Sequence, residues 1–239
     1  MKIALFSDIH ANLPALNAFF KDISFRKPDA MYCLGDLVGY NIWPNEVVNA
    51  INSRQIPTLS GNHDTAVGLP AKSESGLYTN NVIGTEETKY LQSLPAHIRL
   101  DFQLKEEKIS ILLVHGSPRR NNEYLTEETD ESLLLEMLDE SEADILCFGH
   151  THKHFHKIIP TEKGFKHAIN LGSLGKPKDG DPRGCYAQLT IHANSTLKNK
   201  EAIDVEFCRV AYDVEKAAKA VEDCPSLPNK FAEALRLAQ

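Results

Sequence analysis

Five short segments that carry potential metal ligands each follow an apolar run of strand length, and this recurrence limits the possible folds. The apolar runs cover residues 3–6, 31–34, 56–59, 109–114 and 145–148. The segments that follow them are Ser7-Asp8-Ile9-His10, Gly35-Asp36, Gly61-Asn62-His63-Asp64, His115-Gly116 and Gly149-His150-Thr151-His152. Such runs are typical of buried strands, and ligands bind beyond the carboxyl ends of strands in open α/β sheets. We therefore predict that the five segments converge on one site.

The order of the predicted elements indicates an α/β fold. Helices are expected at residues 12–23, 44–52 and 131–139, and their alternation with strands predicts parallel pairing. From residue 97 onward the pattern is mostly antiparallel, with a hairpin turn at residues 105–108 and strands at 97–104, 109–114, 155–159, 166–169, 184–191 and 205–211. Two mixed β-sheets flanked by helices, forming a four-layer αββα sandwich, would bury these runs.

The chain contains no convincing linker, so we interpret residues 1–239 as one domain that ends in a helical segment at about residues 213–239. Residues 68–81 and 118–130 are interpreted as loops. In a fold of this kind, such loops would determine substrate specificity.

Composition and charge exclude several classes of protein. The contents of 42% hydrophobic and 25% charged residues are those of a folded globular chain. The formal net charge of -7 argues against binding to long nucleic acid, which requires a basic surface, and small substrates are expected instead. No apolar run could span a bilayer, and the five cysteines lack a C-x-x-C spacing. We expect a cytoplasmic protein that does not bind membranes; the pattern does not predict its oligomeric state.

The side chains in the five segments have the chemistry of a transition-metal site. Asp8 and His10 are two residues apart, so that both can face one ion. A carboxylate such as Asp36 has two oxygens and can bridge two ions. The remaining candidate ligands are an amide and three imidazoles, at Asn62, His115, His150 and His152. This set suits Mn, Fe, Zn, Ni or Co better than Ca or Mg, and we favour Mn. A single histidine is more often structural, but the joint set favours metal binding.

The order of these motifs resembles that of the calcineurin-like metallophosphoesterase family, whose pattern is D-x-H, GD, GNH[DE], a later His and GHxH. The match runs from residue 3 to about residue 186. The resemblance implies that two metal ions are bound. The first would be held by Asp8, His10, Asp36 and His152, and the second by Asp36, Asn62, His115 and His150.

The resemblance also implies catalytic residues in the GNHD motif. His63 matches the histidine that acts as general acid or binds phosphate, while a metal-bridging hydroxide attacks phosphorus in line. Asp64 would either orient His63 or cap the turn that follows, and the sequence favours neither role.

The chain departs from part of the family after the GD motif. Residues 35–40 read GDLVGY and lack the phosphate-binding arginine of protein Ser/Thr phosphatases and symmetrical dinucleoside tetraphosphatases. The sequence is instead similar to small bacterial and archaeal members regarded as phosphodiesterases. Arg119, Arg120 and Arg183 are candidates to bind the substrate phosphate in its place, although Arg183 could equally form a structural ion pair. Tyr40 could stack on a nucleobase or pack in the core.

These observations predict a binuclear metal-dependent phosphoesterase that hydrolyses a small phosphodiester or a nucleotide phosphoanhydride. One alternative is asymmetric cleavage of dinucleoside polyphosphates. Another is a non-catalytic metal-binding scaffold on the same fold, similar to the retromer subunit that resembles these enzymes. The presence of His63 argues against a scaffold, because scaffold members tend to lose this histidine.

Overall fold

Two mixed β-sheets pack face to face in this computed structural model, which describes residues 1–105, 107–201 and 203–239. The first sheet contains, in spatial order, β2 (Ala30–Cys33), β1 (Lys2–Phe6), β8 (Gly184–Ile191) and β9 (Ile203–Val210). The second contains β3 (His97–Gln103), β4 (Lys108–Val114), β5 (Ile145–Phe148), β7 (Gly164–Leu171) and β6 (His154–Thr161). Parallel pairs join β1 to β2, β4 to β5 and β5 to β7, and the other neighbours are antiparallel.

Helices cover the outer faces of both sheets. Those of the first half are α1 (Leu13–Arg26), α2 (Pro44–Ser53), α3 (Asn62–Thr65), α4 (Glu74–Val82) and α5 (Thr85–Ser93). Those of the second half are α6 (Glu131–Glu140), α7 (Val214–Glu222) and α8 (Lys230–Leu237). The predicted helical segment at 213–239 thus contains α7 and α8.

Alternation along β1 shows how the layers form. Ile3 and Leu5 face the core between the sheets, while Ala4 and Phe6 face the opposite side, where they meet Phe19 of α1. Successive side chains of a strand point to opposite faces, so an all-apolar strand must be covered on both sides. On the second sheet, β4 and β5 present their other faces to α6. The four-layer αββα sandwich predicted from the sequence is confirmed.

Local sequence explains where α1 begins. The Asn12 side chain accepts a hydrogen bond from the Ala15 backbone N–H at 3.1 Å, and a proline occupies the first turn. An amide oxygen at this position satisfies a donor that the helix itself leaves unpaired. Asn12 also donates to the Gly175 carbonyl at 2.7 Å, which ties the start of the helix to the loop after β7.

Two predictions about elements were wrong. Residues 56–59 form no strand; Thr58 makes only an isolated bridge to Cys33, and Pro57 has no N–H with which to extend a ladder. Residues 68–81 are not a loop throughout, because α4 begins at Glu74. The Ser73 hydroxyl accepts from the Gly76 N–H at 3.1 Å and so starts this helix.

Within the described ranges, no helix combines the length and the apolar character needed to cross a bilayer.

The buried aromatic residue on α1 offers a test of the packing. Phe19→Ala should lower the free energy of unfolding by about 3–5 kcal/mol, because it removes a ring that is fully buried between α1 and the first sheet. Phe25→Ala, in the same helix but 75% exposed, should change it by less than about 0.5 kcal/mol. Chemical denaturation measures both, and similar values for the two variants would contradict the layer arrangement.

Candidate metal centre

The predicted ligands come together beyond the carboxyl ends of several strands. Asp8 and His10 follow β1, Asp36 follows β2, His115 follows β4, and the pair His150 and His152 follows β5. Asn62 opens α3, directly after the extended residues 56–59. Among the described residues, three groups of potential ligand atoms result, each with all of its atoms within 4.8 Å of one another. They are Asp8, His10 and His152; His10, Asp36 and His63; and Asp36, His115 and His150.

The loops that carry these residues adopt an unusual backbone conformation. Five of the predicted ligands have positive φ angles although none is glycine: Asp8 (56°), His10 (49°), Asp36 (54°), His150 (67°) and His152 (62°). Each such residue costs of order 1–3 kcal/mol and persists only where its surroundings hold it in place. Here the Asp8 N–H donates to the Gly35 carbonyl at 3.0 Å, and the His10 N–H donates to the Asp36 carbonyl at 2.9 Å. The first two loops therefore hold each other in the conformation that directs their side chains inward.

Three of the imidazoles are anchored in the same way, each with Nδ1 at a backbone carbonyl oxygen. The pairs are His10 with Val38 at 3.0 Å, His115 with Leu34 at 2.7 Å and His152 with Lys176 at 2.6 Å. A carbonyl only accepts, so Nδ1 carries the proton and donates it. Nε2 is then unprotonated, and its lone pair faces the site, as in metal-bound histidine.

The first group of ligand atoms surrounds the Asp8 carboxylate. Its Oδ1 lies 3.2 Å from His152 Nε2 and 3.6 Å from His10 Nε2, and the two Nε2 atoms are 3.0 Å apart. Oδ1 is buried and has no hydrogen-bond partner among the residues that the structure describes. Two nitrogen lone pairs and one carboxylate oxygen at such distances need a proton or a cation between them.

The third group consists of Asp36, His115 and His150. His115 Nε2 lies 3.3 Å from Asp36 Oδ2 and 3.2 Å from the Asn62 amide oxygen. His150 Nε2 is buried, and no residue in the described ranges forms a hydrogen bond with it. Asp36 Oδ2 is also 3.7 Å from His10 Nε2, so this carboxylate lies between the two groups.

The electrostatics of the site favour a bound cation. Burial alone would raise the pKa of Asp8, but the facing imidazoles, chiefly His152 and His10, hold it well below the ordinary value. Burial would lower the pKa of His115, yet the carboxylates of Asp36 and Asp8 raise it to about 10. In the absence of metal, a proton on His115 therefore supplies charge that a cation would otherwise bring. The unpaired buried atoms and the mixed nitrogen and oxygen donors fit divalent transition metals.

His63 belongs to the remaining group, with His10 and Asp36. Its backbone N–H donates to Asp36 Oδ1 at 2.8 Å, and its ring lies edge-on to that of His10 with centroids 5.0 Å apart. A Cβ at Gly39, where φ is +97°, would lie 2.6 Å from His63 Nδ1, so only glycine permits this close approach. Burial lowers the pKa of His63 below its ordinary value. A proton on this ring is therefore weakly held and readily transferred.

The Asp64 side chain joins two loops of the site. Its Oδ2 accepts from the N–H groups of Asp36 at 2.7 Å and Gly61 at 2.9 Å, and its Oδ1 accepts from that of Leu37 at 2.9 Å. Burial, followed by the charge of Asp36, raises the pKa of Asp64. No hydrogen bond joins Asp64 to the His63 ring in the described chain. These contacts tie the loop after β2 to the N-terminus of α3, so they correspond neither to orienting the His63 ring nor to capping the turn that follows Asp64.

The predicted substrate-binding residues divide into two sets. The Tyr40 ring lies 4.8 Å from that of His10 and 4.9 Å from that of His63, at the edge of the site. Arg119 instead forms ion pairs with Glu136 and Glu140 of α6, and Arg183 forms one with Asp181. Arg120 is exposed, and its side chain has no ion pair among the described residues. The structure therefore brings Tyr40 to the centre but commits two of the three arginines to carboxylates elsewhere.

Sequence reasoning missed three residues near the centre. Lys176 is 5% exposed, with its Nζ 5.1 Å from the Tyr40 ring centre, and burial lowers its pKa to about 8. Lys178 is half-buried, and over the described ranges its ammonium makes neither a hydrogen bond nor an ion pair. Burial lowers the pKa of Lys178, against the opposing charges of Asp8 and Asp36. Tyr124, 61% exposed, places its ring 4.3 Å from that of His150. The Lys-Pro-Lys turn after β7 is the only sequence signal that pointed to the lysines.

Metal binding should be visible as a gain in stability. Mn²⁺ added to chelator-treated protein should raise the melting temperature, since an ion that binds only the folded site stabilises by about 2.7 kcal/mol at a hundredfold excess over Kd. Asp36→Asn should lose most of this gain, because it removes the charge shared by the two groups. Asp181→Asn, whose carboxylate pairs with Arg183, should keep it. An equal gain in both variants, measured by calorimetry, would place the ion elsewhere.

Comparison with known proteins agrees with this geometry. A family model described as a calcineurin-like phosphoesterase superfamily domain matches residues 1–194. An uncharacterised protein of Methanocaldococcus jannaschii, MJ0912, is 31% identical over 243 aligned residues, which cover 92% of this chain and 91% of that protein.

Two crystal structures show a similar fold along nearly the whole chain. A metallophosphoesterase from Sphaerobacter thermophilus has a TM-score of 0.77 at 26% identity and covers 100% of this chain and 99% of its own. The hypothetical protein PH1004 from Pyrococcus horikoshii has a TM-score of 0.78 at 21% identity, with 98% and 97% covered. With the family match over residues 1–194, these findings show that the chain belongs to the calcineurin-like phosphoesterase superfamily.

Proposed function

We propose that this protein is a cytoplasmic phosphoesterase that uses two divalent transition-metal ions, Mn²⁺ being favoured, to hydrolyse a small phosphodiester or a nucleotide phosphoanhydride. Membership of the superfamily implies hydrolysis of phosphate esters. The observation that supports the finer proposal is the position of Asp36, which belongs to the group with His115 and His150 and whose Oδ2 lies 3.7 Å from His10 Nε2 of the Asp8 group, with His63 beside it. A carboxylate between two groups can offset the repulsion between two ions.

Metal binding and proton transfer would be carried out by different residues of the site. Bound divalent ions would polarise the phosphoryl oxygens and lower the pKa of water. Asp8, His10, Asp36 and His152 would hold one ion, and Asp36, Asn62, His115 and His150 the other. Hydrolysis forms a bond from water oxygen to phosphorus and breaks the bond to the leaving oxygen. His63 would give the leaving oxygen its proton and later recover one from water.

The lysines after β7 provide a source of positive charge that the GDLVGY motif lacks. Arg119 and Arg183 are paired with carboxylates, whereas the Lys178 ammonium has no such partner in the residues described. A network that joins Arg209 to Asp179, and Asp179 to His154 at 3.1 Å, holds the adjoining loop in place. We therefore include Lys178 in the proposal as the cation that contacts a phosphoryl oxygen of the substrate.

Hydrolysis of bis-p-nitrophenyl phosphate tests the function. Protein reloaded with Mn²⁺ after chelation should cleave this diester, and the corresponding monoester more slowly. Asp36→Asn should reduce turnover by at least about a thousandfold, since it removes a ligand from both groups, while the far-ultraviolet circular dichroism stays unchanged. Asp181→Asn serves as the matched control. A folded Asp36→Asn variant with the activity of the parent would disprove the two-metal mechanism.

The alternatives predict different substrates. A dinucleoside polyphosphate hydrolase would prefer diadenosine tetraphosphate to cyclic nucleotides and other diesters. A scaffold would bind metal with the expected stoichiometry and cleave none of these compounds. Assays of diadenosine tetraphosphate, cyclic nucleotides and other diesters with one metal-loaded preparation distinguish the proposed function from the two alternatives.

The role of Lys178 can be measured separately. Lys178→Met should raise KM for the diester about tenfold, because a hydrogen bond to a charged group contributes about 1.5–3 kcal/mol. Lys163→Met, which changes an exposed lysine in the turn between β6 and β7, should leave KM unchanged. An unaltered KM in Lys178→Met, with metal content equal to the parent, would remove this lysine from the proposal.

A further inference from the structure

A cavity of about 410 Å³ opens beside the metal centre, with Asn62 and His63 in its wall. Its size falls within the range of cavities that bind small molecules. The rest of its wall comes from Val38, from residues 66–67 and 69–73, and from α4. The cavity therefore begins at the proposed proton donor and extends away from the metal ligands.

Hydrogen bonds keep the cavity open. The Asn80 side chain donates to the Leu69 carbonyl at 2.8 Å and accepts from the Gly68 N–H at 3.0 Å. These two bonds fix the segment before α4 to the helix itself. The cavity is thus built before a ligand arrives, which lowers the entropic cost of binding.

The wall of the cavity is mainly apolar. Val67, Leu69, Pro70 and Ala71 contribute aliphatic groups, and Lys72 is the one lysine or arginine among the described residues that line it. A leaving phosphate or pyrophosphate would carry several negative charges that one exposed lysine cannot offset. An uncharged organic group would instead bury apolar surface against this wall.

Thr79 adds a specific polar contact. Its side chain lies in the wall of the cavity and is 3% exposed, and Oγ1 has no hydrogen-bond partner within the described chain. A buried hydroxyl without a partner is costly, and native proteins seldom leave one. A hydrogen-bonding atom of a ligand in the cavity would satisfy it.

We propose that this cavity binds the leaving group of the substrate, and that this group is an uncharged, ring-bearing alcohol of the nucleoside class. The inference rests on the proposed function, in which His63 protonates the leaving oxygen, and it selects a phosphodiester over a phosphoanhydride. The oxygen that receives the proton must lie next to His63, so the group attached to it enters the cavity that His63 lines.

Adenosine, the probe for such an alcohol, tests the proposal by titration of the metal-loaded protein in a calorimeter. Ala71→Trp fills the cavity and should weaken adenosine binding at least tenfold. Leu77→Trp, at a 49% exposed position of α4 outside the cavity wall, is the matched control and should bind adenosine like the parent. Absence of binding to the parent, or equal binding in Ala71→Trp and the control, would overturn the proposal.

The hydroxyl is tested by an isosteric change. Thr79→Val should weaken adenosine binding about threefold to tenfold, the loss expected for one neutral hydrogen bond, while Thr79→Ser should retain it. The melting temperature of free Thr79→Val should not fall, because the hydroxyl that it removes has no partner in the protein. A lower melting temperature with unchanged adenosine binding would assign Thr79 to internal packing and overturn its role.

Pyrophosphate is the probe for a charged leaving group. Its inhibition of bis-p-nitrophenyl phosphate cleavage should be equal in Ala71→Trp and the parent, and a loss of inhibition confined to Ala71→Trp would overturn the proposal. Cleavage of the diester by the parent reports on the proposed function alone. An active enzyme that does not bind adenosine would therefore refute the cavity assignment and leave the function standing.

Discussion

The two buried carboxylates of Asp8 and Asp36 set the requirement that the rest of the structure meets. Both are almost fully excluded from solvent, and a buried charge without a counter-charge is strongly destabilising. In the fold, the Nε2 atoms of His10, His115 and His152 face the carboxylates. A backbone carbonyl holds the other nitrogen of each imidazole. Positive charge at this point, as a proton or as metal, is therefore a condition for the fold as well as for chemistry.

Backbone geometry makes this concentration of charge possible. Residues with positive φ direct their side chains away from the path of a regular strand, and here they cluster where strands end. Asp64 holds the loops after β2 and before α3 together through three backbone N–H groups. A Cβ at Gly61 would overlap Asp36 Oδ1, so the approach of the second loop depends on glycine. The site is thus assembled from mutual contacts between loops, whereas the sheets only set their starting points.

Features that depend on a short stretch of sequence, such as strands and ligand-bearing segments, were predicted well. Apolar runs located β1, β4, β5 and β8 to within a residue or two, and their order led to the four layers. The ligand-bearing segments were recognisable because their residue types recur after strands. Long-range contacts were not accessible. No local signal shows that Arg119 pairs with α6 or that the Lys178 ammonium has no partner in the described part of the chain, since both depend on which segments meet in space. Likewise residues 68–81 were interpreted as a loop, although Ser73 in fact caps a helix.

The helical pair α7 and α8 lies outside the residues that the family model matches, yet it reaches the centre. Phe231 of α8 packs edge-on against Tyr40 with ring centroids 5.2 Å apart, and the Gln239 carbonyl accepts a hydrogen bond from Lys176 Nζ at 3.0 Å. Neither contact involves a predicted metal ligand. The Lys176 carbonyl also anchors His152, and the Tyr40 ring lies beside that of His10, so mutations in this segment would couple changes at the substrate side of the centre to the positions of two metal ligands.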